Sequence, residues 1–371
     1  MIKPVNIRIN DNLQLNKLAN SVKPSPKLTR TFRHPLLFLV VILVIVLPLL
    51  LYAQPERRLH SVVFYNVENL FDIFDDKGIN DNDFLPEAPR AWDAARYLHK
   101  LQGLAAVISE PGGRQLPVLI GLAEIENRQV VEDLAVTRRL NRGKYGVVHF
   151  DSPDRRGIDV ALLYRKSKFD VLHEAPVRVK LPGRRSYSTR DILYVKGLLQ
   201  RRDTLHLFVM HWPSRVGGTD RSNPDRAEVA RVLKSTTDSI LLQQPGAKII
   251  AMGDLNDTPG DVSVSGILEA LHPDVENHSG LYNLLYPLHE AGKGTYFYRG
   301  EWSVLDHLLV SPSLLRSEGL HVTGGQGHIY KADWISNITR NGDTIPARTY
   351  NGTNYLGGIS DHYPVFLKLR R

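Results

Sequence analysis

Three short motifs in the second half of the chain carry reactive side chains: Gly253-Asp254-Leu255-Asn256, Leu305-Asp306-His307 and Ser360-Asp361-His362. Upstream, Asn66 opens Asn66-Val67-Glu68-Asn69, Glu124 ends Gly121-Leu122-Ala123-Glu124, Asp159 follows Gly157-Ile158, and His211 precedes Trp212-Pro213. Carboxylates, amides and imidazoles in this mixture suit hydrolysis of a phosphoester. That reaction needs a divalent ion, a base for water and donors for the developing charge. Mg2+ or Mn2+ takes oxygen ligands, which makes Glu124 the first ligand choice, with Asn66, Asp306 and Asp361 close by. Glu124 and Glu126 share one strand face, so their roles are interchangeable at this level. Asp254 and Asn256 point to the same side of an extended segment and can hold and deprotonate a water. His211 and His362 can flank the phosphate, one donating to a non-bridging oxygen and one assisting proton transfer. A neighbouring carboxylate would raise an imidazole's pKa and keep it protonated. Asp159 opens a strand expected near His211, which it can orient.

Taken singly, each motif has an ordinary reading. Asp254-Asn256 is common turn chemistry, His211 fits a packed core histidine, and Ser360-Asp361-His362 fits a turn closed by side-chain hydrogen bonds. Their joint occurrence at the ends of hydrophobic runs is what points to one site. Those runs are Ser61–Asn66, Val118–Glu124, Asp159–Tyr164, Thr204–His211, Lys248–Asp254, Val304–Val310 and Val365–Leu369, each bounded by turn-forming residues. Helices are predicted at Ala91–Ser109 and Asp225–Gln243, the second opened by Asn223-Pro224-Asp225 with Glu228. Several strands are apolar throughout, so both faces should be buried, as in two packed sheets flanked by helices. Residues 321–358, with four Gly-containing turn pairs, read as a long loop region beside the last motif.

The net charge of +8 invites a nucleic-acid reading, but seven Lys/Arg and one acid lie within residues 1–54, leaving only +2 for the rest. Basicity is therefore mainly a property of the leader. Residues 1–35 read as disordered, and the uncharged run Leu36–Ala53 follows Lys23, Lys27, Arg30 and Arg33. This run is the core of a signal peptide or an uncleaved membrane anchor, and residues 54–371 form a single exported domain. The expected location is periplasmic, extracellular or membrane-anchored. The chain has no cysteine, which excludes thiol nucleophiles, zinc-thiolate sites and disulfides.

The series Asn66, Glu124, His211, Asp254, Asn256, Asp306, Asp361 and His362 resembles that of the endonuclease/exonuclease/phosphatase superfamily, in its exported bacterial branch. The resemblance runs from about Ser61 to Leu369 and implies a deoxyribonuclease I-like, four-layer α-β-β-α sandwich of two packed mixed sheets. It implies Glu124 as metal ligand with Asn66 and Asp306 nearby, Asp254 and Asn256 positioning the attacking water, and His362 paired with an acid near the phosphate. His211 matches the second histidine of the deoxyribonuclease I-like members. Arg155, Arg156 and Gly157 stand where abasic-site repair members have a tyrosine, which disfavours that activity. Arg155, Arg190 and Arg215 are the substrate-binding candidates, Arg215 foremost because a guanidinium fork near His211 suits a phosphate. Tyr296, Tyr298 and Trp302 are candidates for stacking on bases or for packing. The expected activity is that of a divalent-metal-dependent endonuclease or exonuclease acting on DNA or RNA. The alternative is a phosphatase or a lipid or small-molecule phosphodiesterase on the same scaffold. No obligate protein partner is implied, and a binding protein without catalysis is disfavoured by the complete polar set.

Overall fold

The computed structural model describes residues 59–371, apart from 114, 155, 182 and 184–188. The expected leader at 1–35, the apolar run at 36–53 and the candidate Arg155 lie outside the described residues. Among those residues, no helix is long and apolar enough to cross a membrane.

In chain order the main strands are β1 (His60–Leu70), β2 (Leu119–Ile125), β3 (Tyr145–His149), β4 (Asp159–Arg165), β5 (Phe169–Val177), β6 (Ile192–Leu199), β7 (Asp203–His211), β8 (Lys248–Asp254), β9 (Tyr282–Asn283), β10 (Tyr296–Tyr298), β11 (Glu301–Ser303) and β12 (Asp306–Val310). A C-terminal strand, Val365–Arg370, completes the first sheet, whose path runs from His321–Val322 through the C-terminal strand, β1, β2 and β4 to β3. The second sheet has the order β5-β6-β7-β8-β12-β9. Each sheet contains a central parallel pair, β1 with β2 and β7 with β8, whose C-terminal ends carry the motifs. The long flanking helices are α1 (Ala94–Ser109), α2 (Arg128–Ala135) and α3 (Thr219–Gln243), with a short one at Tyr286–Glu290.

The apolar strands are buried on both sides, as their composition requires. Phe64, Leu119 and Leu162 of the first sheet share one cluster with Leu207, Ile250 and Leu308 of the second. On the outer face of the first sheet, Ile120 and Leu122 join Leu104 and Ile108 of α1 and Val130 of α2. On the outer face of the second, Phe208, Met210 and Ile249 join Val229 and Leu233 of α3. Mixed sheets with flanking helices thus make the expected α/β sandwich. Gly253 is needed where β8 passes β7, because a Cβ there would lie 2.3 Å from the Met210 carbonyl oxygen.

Three expectations are corrected. Helix α3 begins at Thr219, six residues before Asp225, with Pro224 inside it; Asn223 accepts a hydrogen bond from the Arg226 guanidinium instead of capping the helix. β5 and β6 form a long antiparallel pair that had no strand reading: β5 is mixed and partly exposed, whereas β6 is largely apolar and buried. Residues 321–358 contain short antiparallel pairs, Ser336–Ile338 with Thr344–Pro346 and Tyr350–Asn351 with Asn354–Tyr355.

Candidate active site

The site begins where regular pairing fails. β1 and β2 run in register until Asn66 meets Ala123, then slip, so that residues 67–69 bulge out before Leu70 meets Ile125. Glu68, Asn69 and Glu124 take left-handed backbone angles, with φ of 50°, 58° and 64°. Such angles cost non-glycine residues energy and persist where surrounding contacts enforce them. Here they turn Glu124 toward Asn66 Nδ2, which donates to Oε1 at 3.2 Å, and toward the Asn69 amide, which donates to Oε2 at 3.0 Å.

The second sheet contributes a row of three. His211 of β7 pairs in register with Asp254 of β8, and Asp254 with Asp306 of β12. The Asn66 amide joins the two sheets by donating to Asp254 Oδ2 at 2.9 Å, while the Asn256 backbone N–H donates to Asp254 Oδ1 at 2.8 Å. Asn256 sits at φ 51°, a conformation asparagine tolerates, and its Nδ2 donates to the Trp212 carbonyl at 3.1 Å. His362 arrives on the turn after Gly358: Nδ1 lies 2.7 Å from Asp306 Oδ2, and Nε2 lies 3.8 Å from Asp254 Oδ2. Ser360 fixes that turn by donating to the Asn66 carbonyl at 2.7 Å. His211 Nε2 is 3.6 Å from Asp254 Oδ2 and 3.9 Å from Glu124 Oε1.

The two imidazoles are tuned in opposite directions. Burial works against charging His362, but the hydrogen-bonded Asp306 carboxylate, with Asp254 and Asp361, raises its pKa well above the ordinary value. His211 is lowered well below it by burial and by Arg190 and Arg156. At neutral pH His362 is a cationic donor and His211 a neutral one, so the expectation of a protonated imidazole fits His362 alone. Asp254 is raised by burial and by Asp306, with the cationic His362 opposing. Such a carboxylate is a stronger base than an exposed one.

These groups floor a cleft of about 860 Å³. Its walls are lined by Phe84, Trp92 and Tyr350, which are buried against one another, and by the exposed Tyr298, with Arg90, Arg156, Arg299 and Arg348 among them. Tyr296 packs on the His362 ring, 4.8 Å between centroids, and lies nearly parallel to Tyr298 at 6.4 Å.

A family model described as "Endonuclease/Exonuclease/phosphatase family" matches residues 61–371. The chain belongs to this family. A comparison with curated proteins finds no match. Among solved structures, truncated TDP2 of Caenorhabditis elegans is similar at a TM-score of 0.52 and 16% identity, covering 84% of this chain and 98% of that one. The mannosyl-6-phosphatase of Bacteroides thetaiotaomicron gives 0.53 and 15%, covering 84% and 100%. TDP2 of D. rerio complexed with a single-strand DNA product gives 0.51 and 14%, covering 84% and 99%. At these identities the likeness is one of fold.

Members of this family generally use divalent metals, and the residues present fit one. The cleft floor gathers the carboxylates of Glu68, Glu124 and Asp254, and the Asn66 amide, a partial positive charge, already bridges the last two. An all-oxygen set of this kind suits a hard cation held through one or two carboxylates. Asp254, Asp306 and His362 also bring ligand atoms within 4.8 Å of one another, but there the imidazole is engaged with Asp306.

The fold therefore brings together Asn66, Glu124, His211, Asp254, Asn256, Asp306 and His362. Asp361 lines the same cleft, its carboxylate paired with Arg348 at 2.9 Å. Other candidates are placed elsewhere. The bulge at Glu124 breaks the strand alternation, so Glu126 does not share its face; it is buried and accepts the Asp72 amide at 2.8 Å. Asp159 belongs to the first sheet and binds His149 Nε2 at 3.2 Å, away from His211. Arg190 is 3% exposed, and its guanidinium is spent on the carbonyls of His211 and Trp212 and on Asp154. It braces the loop after β7 and is no substrate contact. Arg215 lines the cleft, but its fork is taken by the Asn256 carbonyl, Asp257 and Asp261.

Sequence reasoning missed Glu68, Lys100 and Arg348. Lys100 is buried in α1 and donates to the Glu68 carbonyl at 2.9 Å and to Thr349 Oγ1 at 2.6 Å, tying the β1 bulge to the loop that bears Arg348. Its signal was available: Lys100 lies four residues before Leu104, on the apolar face of the helix.

Proposed function

We propose that this chain is a divalent-metal-dependent phosphodiesterase that cleaves nucleic acid, with single-stranded segments as its best fit. One observation supports it above the others: Asp254 stands within 3.8 Å of both imidazoles, one held cationic by Asp306, on the floor of a cleft lined by arginines and the exposed Tyr298. Glu124 would hold the cation, with Asn66 Nδ2 donating to its carboxylate; when bound, the cation would polarise the phosphoryl group and offset its charge. Asp254, fixed by the amides of Asn66 and Asn256, orients a water and takes its proton at the carboxylate. His362 donates from Nε2 to the phosphoryl oxygen that gains charge, and Asp306 holds the ring in that orientation. Neutral His211 donates from its Nε2 side to a second oxygen. The exposed Tyr298 offers a ring on which an unpaired base stacks, and Arg156 and Arg299 supply charge for the adjoining phosphates.

A second reading, hydrolysis of a small phosphoester or a lipid phosphodiester, is favoured by the nearly neutral body, since nucleases usually carry a basic groove. The test is to incubate the purified chain with Mg2+, Mn2+ or EDTA against single- and double-stranded DNA, RNA, sugar phosphates and phosphorylated lipids. Metal-dependent shortening of the nucleic acids supports the first reading. Phosphate release from the small substrates with nucleic acid intact refutes it in favour of the second.

A further inference from the structure

The end of the body opposite the cleft has the reverse electrostatic character. β1 begins there at His60 and reaches the cleft only at Asn66, so the chain joins the body at the end remote from the site. The α2–β3 connection brings Arg138, Arg139, Arg142 and Lys144 to this end, and the β4–β5 turn brings Arg165, Lys166 and Lys168. These segments touch: the Lys166 amide donates to the Lys144 carbonyl at 3.4 Å. The β6–β7 turn adds Arg201 and Arg202 and is fixed beside them by Gln200, whose amide donates to the Lys168 carbonyl at 2.7 Å and whose side chain meets His60 at 2.8 Å.

Most acids in this region are engaged, exposed Glu318 before the His321–Val322 strand being the exception. Glu110 pairs with Arg139, Asp170 with Arg201, and Asp203 with Arg371 and Lys248. Arg138, Arg142, Lys144, Lys166, Lys168 and Arg202 make no ion pair among the described residues. A recess of about 470 Å³ is lined by Ser109 and the guanidinium-bearing Arg138, Arg139 and Arg142. In a body with nearly balanced charge, positive charge is thus concentrated at the end where the chain joins it, and carboxylates gather at the cleft.

We propose that this basic end docks on an anionic phospholipid bilayer, with the cleft facing away from it. Charge complementarity supplies the attraction, since clustered Lys/Arg next to an apolar segment bind anionic headgroups. The sequence outside the described residues selects lipid over nucleic acid as the occupant: the apolar run Leu36–Ala53 ends a few residues before β1. Retained as an uncleaved anchor, that run would set distance and not orientation; the basic end would set orientation.

The chain has no cysteine, so single environment-sensitive labels can be placed at Ser167→Cys, in the basic turn, and at Asp220→Cys, exposed in the first turn of α3 next to the cleft-lining Thr219. The full chain is reconstituted in phosphatidylcholine vesicles with or without about 30% phosphatidylglycerol and a lipid-borne quencher, a composition that sets the surface potential. Quenching is expected at position 167 on anionic vesicles alone, to fade at raised ionic strength, and to be absent at 220. The triple variant Arg138→Gln/Arg142→Gln/Lys144→Gln should weaken surface contact by about fivefold per charge removed. Its retained hydrolysis of a soluble phosphoester reports folding, and Lys166→Gln/Lys168→Gln serves as a second variant. Equal quenching at 167 on neutral and anionic vesicles, or equal quenching at 167 and 220, overturns the proposal. So does a triple variant that keeps the lipid signal while losing binding to DNA, which assigns the patch to nucleic acid.

Discussion

His307, next to Asp306 of the candidate site, is fully buried and carries a proton-linked share of the stability of this site. Its Nδ1 accepts from Asn283 Nδ2 at 2.8 Å and its Nε2 donates to the Asp257 carbonyl at 2.9 Å, so the neutral ring is satisfied and the cation is not. Burial pushes its pKa down to about 4, with the nearby carbonyl and carboxylates of Asp257 and Asp306 opposing. A base whose folded pKa is depressed stabilises the native state above its unfolded pKa of about 6.5, and that stability is lost as pH falls toward 4. The linkage integral gives a loss of about 2 kcal/mol by pH 5 and about 3 kcal/mol by pH 4.

His307→Gln keeps a donor for Asp257 and removes the titration, at the cost of leaving the Asn283 amide unpaired, roughly 1–3 kcal/mol. Buried Glu126 and Asp254, with raised pKa values, pull the wild-type profile the other way, and the difference between wild type and variant cancels them. Urea unfolding at pH 7.5, 6, 5 and 4 should therefore show the wild type more stable at pH 7.5 and its advantage gone or reversed by pH 4. A difference that stays constant across this range refutes a neutral buried His307.

Glu124→Gln should raise the Mg2+ concentration needed for half-maximal activity, whereas Glu126→Gln should leave it unchanged, because burial lifts the Glu126 pKa to about 8 and the group is already neutral at pH 7; a metal titration of both variants decides. His362→Ala should lower kcat by about 10²–10⁴ with an unchanged far-ultraviolet spectrum, the range expected for a positioned acid. Arg190→Met strands buried Asp154 and should cost about 3–5 kcal/mol in urea unfolding with little change in KM, the reverse of what a substrate contact would give. Lys100→Met should lower kcat/KM by loosening the contact between Glu68 and Thr349, with partial recovery in Lys100→Arg.

The fold was legible because its strands are apolar on both faces, a pattern that demands two covered sheets. The parallel pairs were legible through their ends: β8 has the predicted limits, Lys248–Asp254, and the reactive residue is its last. β5 was not, because its residues are mixed and it lies at the sheet edge; β6, between β5 and β7, carries an apolar pattern that the sequence did offer. Glu124 and Glu126 were inseparable by alternation; what separates them is a left-handed residue at 124, which strand periodicity does not encode.

The arginines failed for a related reason. Nearness in sequence to His211 drew attention to Arg215, and a guanidinium fork fits a phosphate, but it fits carbonyls and carboxylates equally well. The loops after β7 and β8 expose such acceptors at the moment the sheet ends, and Arg190, Arg215 and Arg226 satisfy them: Arg226 reaches the Pro213 carbonyl and Asp257 from inside α3. These loops carry Asn256 and the backbone beside His211, so the arginines hold those groups in place. Arginines left to meet a substrate are those held loosely, which favours Arg299, over the Tyr298 ring, and exposed Arg156, whose Nε lies 3.7 Å from Asp154 Oδ1. That criterion depends on tertiary contacts, and only the folded chain supplies them.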